Sequence, residues 1–189
     1  MGWPRVRLGD VVSFEYGTSL PARERDPHGE FLVAGSNGPD GTHTKALVSS
    51  PGIVVGRKGS AGQVYWYDTD FWPIDTTYYV VPKESLELRW VFYLLRHLRP
   101  HRIATTTGVP GLSRADAYAL EFGLPPLSEQ RRIVEVLDQA DRLRRAEVMA
   151  VSFAHRTSRM VRFQSDFFML IRQLERSRTG RGWRPATSW

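Results

Sequence analysis

Leu124-Pro125-Pro126-Leu127-Ser128-Glu129-Gln130-Arg131-Arg132-Ile133 joins two different kinds of structure within ten residues. The paired prolines lock φ and hold the residue before each of them out of the α region, so the chain stays extended as far as Pro126. Helix can begin only beyond that point. Ser128 is placed to cap it, and Glu129 sets negative charge against the positive end of the helix dipole. From Leu127 to Thr179 no Gly or Pro interrupts the chain, so no backbone breaker stops the helix before Gly180. The expected organisation is a globular domain over 1–126, a long helix over 127–179, and a tail over 180–189 without fixed structure.

Upstream of the join the chain is written in strand vocabulary. Residues 6–16 alternate short apolar runs with polar ones, and Phe31-Leu32-Val33, Ile53-Val54-Val55, Gln63 to Tyr67 and Thr77 to Val81 are β-branched and aromatic stretches bounded by Gly, Pro, Asn and Asp. Ser36-Asn37-Gly38-Pro39-Asp40-Gly41 reads as a loop and Asp68-Thr69-Asp70 as a hairpin reversal. Between Leu86 and Leu98, apolar residues at 88, 91, 92, 94, 95 and 98 follow the helical period with one buried face. Ser113 and Asp116 have the spacing of a short capping box, so a brief helix through Tyr118 leads into a strand over Leu120 to Leu124. The fold class is α+β. With 189 residues and six Trp, seven Tyr and nine Phe, the chain can build one substantial core but hardly two.

There is no cysteine, which excludes disulfides, thiolate catalysis and Cys-ligated metal centres. No apolar run approaches the roughly 20 residues of a membrane span and no signal peptide opens the chain, so a soluble cytoplasmic protein is expected. The net charge of +6 invites a reading as a basic DNA-binding domain, but its distribution argues otherwise. Residues 1–126 hold 13 Lys and Arg against 13 Asp and Glu, residues 127–149 hold 5 against 5, and residues 150–189 hold 8 against 2. The whole excess lies at the C-terminal end, where it is either a solvated surface or a source of non-specific phosphate attraction. If the globular part binds DNA, folding must gather its cations on one face.

Catalytic motifs fail on inspection. Gly56-Arg57-Lys58-Gly59-Ser60-Ala61-Gly62 lacks the spacing of a phosphate-binding P-loop and lies between strands, where its glycines suit a hairpin connection. Pro125-Pro126 is flanked by Leu124 and Leu127, with neither the polar residue nor the ring that an adenine methyltransferase needs around such a pair. Asp68, Asp70 and Asp75 are turn residues before they are a metal cluster, and Pro100 breaks the helix that a His97/His101 metal pair would require. The expected metal complement is none, and no enzyme activity is expected of this chain.

Two segments suit nucleic acid. Arg57 and Lys58 are the only adjacent cations between Arg7 and Arg131, projected from a tight turn, which fits a phosphate, a guanine edge or simply a solvated loop. Thr105-Thr106-Thr107-Gly108 offers hydroxyls and close backbone approach next to Arg114, though a structural role serves equally well. Along the helix Ile133, Val136, Ala140, Leu143, Ala150, Ala154, Val161, Phe168 and Ile171 form a seam on steps of three and four, interrupted at Glu147, Thr157 and Gln164. Continuous from Ser128 to Glu175, its 48 residues would extend about 72 Å. Such an exposed stripe wants a partner helix, unless its latter part folds back.

The Leu-Pro-Pro-Leu-x-Glu-Gln join resembles that of the specificity subunits of type I restriction-modification systems, whose target-recognition domain runs into a spacer helix. Trp3 to Val11 is similar to the start of such a domain, and Gly108 to Ser113 with Leu120 to Pro126 to its end. The resemblance implies a non-catalytic, sequence-specific DNA-binding subunit that reads half of a bipartite target. It has one recognition domain where full subunits carry two, as a half-length subunit or one repeat of a longer chain. The candidate DNA contacts are Asn37, His43, Lys45, Arg57, Lys58, Ser60, Gln63, Thr105, Thr106, Thr107 and Arg114, and the candidate dimer contacts are Ile133, Val136, Ala140, Leu143 and Ala150. The implied partners are double-stranded DNA, a methyltransferase subunit that carries S-adenosylmethionine, a translocating restriction subunit, and a second copy paired through a coiled coil. The chain itself needs no cofactor. A non-catalytic helical adaptor, or a recognition subunit of another DNA-methylation or defence system, is the alternative; a small nuclease would show magnesium-dependent cleavage alone.

Overall fold

Ile53-Val54-Val55 lies at the centre of strand β5 (Gly52–Gly56), every residue of which is buried. A continuous apolar run of this kind belongs to a strand covered on both faces, since alternate side chains point opposite ways. Ile53 and Val55 point into the main core with Phe14, Tyr78, Trp90, Val91 and Leu95, whereas Val54 points into a second cluster with Ala34, Tyr67 and Phe71. That division defines three layers. The computed structural model describes residues 2–105 and 110–146.

The middle layer is a four-stranded antiparallel sheet in the order β2 (Val12–Tyr16), β8 (Thr77–Pro82), β5, β6 (Val64–Tyr67). On one face lies helix α2 (Leu88–Leu98), burying Trp90, Val91, Phe92 and Leu95 as the apolar period requires. A fully buried Phe14 contributes about 1.5–3 kcal/mol relative to exposure, so this interface is a main source of stability. On the other face lies a three-stranded sheet in the order β4 (Gly38–His43), β3 (Phe31–Gly35), β7 (Phe71–Pro73), with β3 and β7 parallel. A separate antiparallel pair, β1 (Arg5–Arg7) with β9 (Glu121–Gly123), brings the start of the domain beside its end.

Several expectations are corrected. Residues 6–16 are not one extended stretch, because a four-residue helix α1 (Leu8–Val11) divides β1 from β2; it buries Leu8 and Val11 on one side, and the Asp10 carboxylate accepts from the Arg7 amide at 3.0 Å. The expected loop Ser36 to Gly41 is mostly strand: Gly35 pairs with Gly38, leaving a two-residue turn at Ser36-Asn37. Pro39 is tolerated because β4 is an edge strand and needs no amide on its open side. Asp68 to Asp70 is not a hairpin either, since β6 and β7 belong to different sheets. There Trp66 Nε1 donates to Asp68, and the Ser50 amide donates to Asp70 at 2.7 Å.

The brief helix α3 (Arg114–Tyr118) forms, with Ser113 at the cap position but without a side-chain cap hydrogen bond. Its Tyr118 hydroxyl accepts from the Phe14 amide at 2.8 Å, supplying the edge strand β2 with a partner. Helix α2 ends on Arg99 in the left-handed region at φ 53°, followed by a 3-10 turn at Pro100–Arg102, which separates His97 from His101.

After the two prolines, helix α4 occupies 127–146, about 30 Å within the described residues. It starts at Leu127 as expected, but Ser128 stands inside the first turn instead of capping it, and the Pro126 carbonyl accepts from the Glu129 and Gln130 amides. The first compact unit runs through Val136, because Gln130 is buried and Ile133 and Val134 pack on the main core. Pro126 therefore marks where the helix begins, not where the packing ends. Ile133, expected on the dimer seam, is engaged by its own domain, while Val136 and Leu143 are 64% and 66% exposed. Ala150, the later seam positions and the tail 180–189 lie outside the described residues.

Candidate nucleic-acid interface

The β5–β6 connection is a hairpin loop closed on itself: the Gly62 amide donates to Gly56 O and the Gly56 amide to Gln63 O. Gly59 and Gly62 adopt positive φ of 74° and 76°, a conformation that suits glycine. Two other segments meet this loop. Ser60 Oγ donates to Asn37 Oδ1 at 3.4 Å, joining it to the β3–β4 turn. The Gly59 amide donates to Pro110 O and the Leu112 amide to Arg57 O, joining it to the segment before α3, where Thr105 and Gly111 exchange backbone bonds. Three connections that are distant in the sequence thus converge at one end of the sheets.

Of the expected DNA contacts, Asn37, Arg57, Lys58, Ser60 and Thr105 stand in this convergence, with Asn37, Lys58 and Thr105 exposed. Arg57 is not a free projection of the turn. Its Nε and Nη2 both donate to the Asp75 carbonyl, and its guanidinium lies 5.2 Å from the centre of the Tyr16 ring. Arg114 reaches the same ring from α3, at 4.5 Å, while Nη1 donates to Phe14 O at 3.3 Å. Tyr16 closes β2, is 48% exposed, and packs at 5.2 Å from Tyr78, whose hydroxyl donates to Leu112 O at 3.1 Å. Burial raises the pKa of the Tyr78 phenol, an effect that Tyr16 strengthens and Arg57 and Arg114 oppose. The sequence reading missed Tyr16. Its only signal was the alternation Val12, Phe14, Tyr16, which carries an aromatic from the core face to the strand end.

Two of the remaining candidates separate, while Gln63 belongs to the β5–β6 loop itself. His43 closes β4 at the end opposite Asn37, about 17 Å along a six-residue strand, and its ring meets Trp72 edge-on at 5.5 Å. Lys45 follows it, exposed. Gln63 lines a cavity of about 180 Å³ with Arg96, Arg99 and His101 at the end of α2. Thr106 and Thr107 lie outside the described residues.

Residues 1–148 match the family described as the type I restriction modification DNA specificity domain. A protein of Mycoplasma pneumoniae named as a type I specificity subunit is 28% identical over 91 residues, 48% of this chain and 27% of that one. A second from the same organism, named as the C-terminus of such a subunit, is 28% identical over 91 residues, 48% of this chain and 61% of that one. The fold is similar to the crystal structure of a type I restriction-modification S subunit from M. genitalium, with a TM-score of 0.68 and 20% identity, covering 75% of this chain and 40% of that one. The matched part spans well under the full length of each.

Proposed function

The chain belongs to the type I restriction modification DNA specificity family, and from that premise we propose that its globular part reads one short half of a bipartite duplex target while α4 sets the distance to a second reader. The observation that carries this reading is the meeting of three loops that bring Asn37, Lys58, Ser60 and Thr105 together beside Arg57 and Arg114. Residues 1–126 have no net charge, so only such local gathering can attract a polyanion. Exposed amide, hydroxyl and ammonium groups are the types that reach base edges and phosphates in the major groove.

Exposed Val136 and Leu143 support pairing with a second helix, as a coiled coil between two copies. A two-fold dimer reads an inverted repeat. Methylation would then belong to a separate methyltransferase subunit holding S-adenosylmethionine, with a translocating restriction subunit completing the assembly, and this chain would supply recognition without cofactor or catalysis. Co-expression with the methyltransferase subunit from the same genome, followed by mapping of modified adenines, tests the proposal. The expected result is methylation confined to one inverted-repeat sequence; modification with no dependence on this chain defeats it.

A further inference from the structure

We propose that Tyr16, Arg57 and Arg114 form a clamp for the phosphodiester backbone, which sets the register of the loops on DNA without reading bases. The inference rests on the DNA-binding reading and assigns that site's chemistry. Two guanidinium groups lie 5.2 and 4.5 Å from one half-exposed ring, and among the described residues neither is ion-paired with a carboxylate. Both are tethered instead to backbone carbonyls, Arg57 to Asp75 O and Arg114 to Phe14 O. A carbonyl fixes the position of a guanidinium without cancelling its charge. Like charges gathered in this way repel, and an anion with several acceptor oxygens relieves the repulsion.

The geometry favours phosphate over a base. Arg57 has already committed the Nε/Nη2 edge of its guanidinium to Asp75 O, leaving one fewer fork for bidentate pairing with guanine. The Tyr16 ring, with two guanidiniums and Tyr78 around it, serves as their support rather than as a stacking platform. Tyr16 is therefore a positioning residue, and Arg57 and Arg114 are the groups that contact phosphate. The unit is braced through Tyr78 to Leu112 O and from the Leu112 amide to Arg57 O, so its position follows that of the loops.

The test uses the full chain with fluorescent duplexes carrying the mapped target or a scrambled sequence, titrated over a range of salt, for the wild type and for Arg114→Gln, Arg57→Gln, Tyr16→Leu and Tyr16→Phe. Thermal melting of each variant establishes that it is folded. Arg114→Gln and Arg57→Gln should each weaken both duplexes by the same factor, about tenfold, and lower the log-log salt slope by about 1, leaving the target preference unchanged. Tyr16→Leu should behave likewise, and Tyr16→Phe should restore binding to within about threefold because the ring remains. A loss of target preference at constant salt slope assigns these residues to base reading and overturns the clamp, as does unaltered binding by the folded arginine variants. A wild-type chain that binds neither duplex overturns the DNA-binding reading itself, a result distinct from either of these.

Discussion

Gly59 and Gly62 stand three residues apart in the same loop, share a positive φ, and differ in what surrounds them. A Cβ at Gly59 would have Ser36 Oγ as its nearest neighbour at 3.6 Å, an ordinary contact, so Gly59→Ala carries only the conformational penalty of about 1 kcal/mol. A Cβ at Gly62 would lie 2.2 Å from the His101 amide nitrogen, against backbone that cannot rotate away. Gly62→Ala should therefore destabilise the domain by about 3 kcal/mol, the strain and the overpacking together. Urea unfolding of the two variants compares them directly; equal losses would mean that the turn does not rest on the 3-10 segment as described. Arg57 teaches a related lesson, since its adjacency to Lys58 suggested two projecting cations, and folding turned one toward Asp75 and Tyr16.

At the level of elements, the junction into α4 depends on a residue that the sequence made visible only as part of a motif. Gln130 is 2% exposed; its Oε1 accepts from the Glu87 amide at 2.9 Å and its Nε2 donates to Pro125 O at 3.0 Å. Glu87 occupies the N-cap position of α2, so a single amide side chain ties the first turn of one helix to the start of another and to the proline pair. Gln130→Leu should lower stability by about 1–3 kcal/mol, because the buried Pro125 carbonyl and the partly buried Glu87 amide lose their partners. Chemical denaturation measures the loss, and a variant as stable as wild type would show that water replaces the side chain without penalty. Ser128, which seemed the natural cap, falls inside the helix because Pro126 already satisfies the cap geometry; its fixed φ suits a helix start and its carbonyl accepts the first amides.

For the whole molecule, the question is what covers the exposed apolar side chains of α4. Ile133 and Val134 are engaged by the core, and Val136 and Leu143 are left outward. Replacing Val136 and Leu143 together with Glu should convert the expected dimer to monomers in sedimentation velocity and leave the thermal stability of the globular domain within about 1 kcal/mol, as surface substitutions usually do. A wild-type chain that sediments as a monomer, or a double variant that remains dimeric, removes pairing through this helix.

The sequence by itself determined part of the local structure. A strand was legible in Ile53-Val54-Val55, α2 in its helical period, the β5–β6 hairpin in its glycines, and the start of α4 in Pro125-Pro126, because each depends on steric and solvation preferences within a few residues. Only the tertiary structure decided which segments meet. The parallel pairing of β3 with β7, the tie from Gln130 to Glu87, and the gathering of Arg57 and Arg114 on Tyr16 all join residues far apart in the chain. Their free energy comes from contacts that no local window contains, and so the charge pattern on which the proposed function rests was hidden in a sequence whose globular part sums to zero.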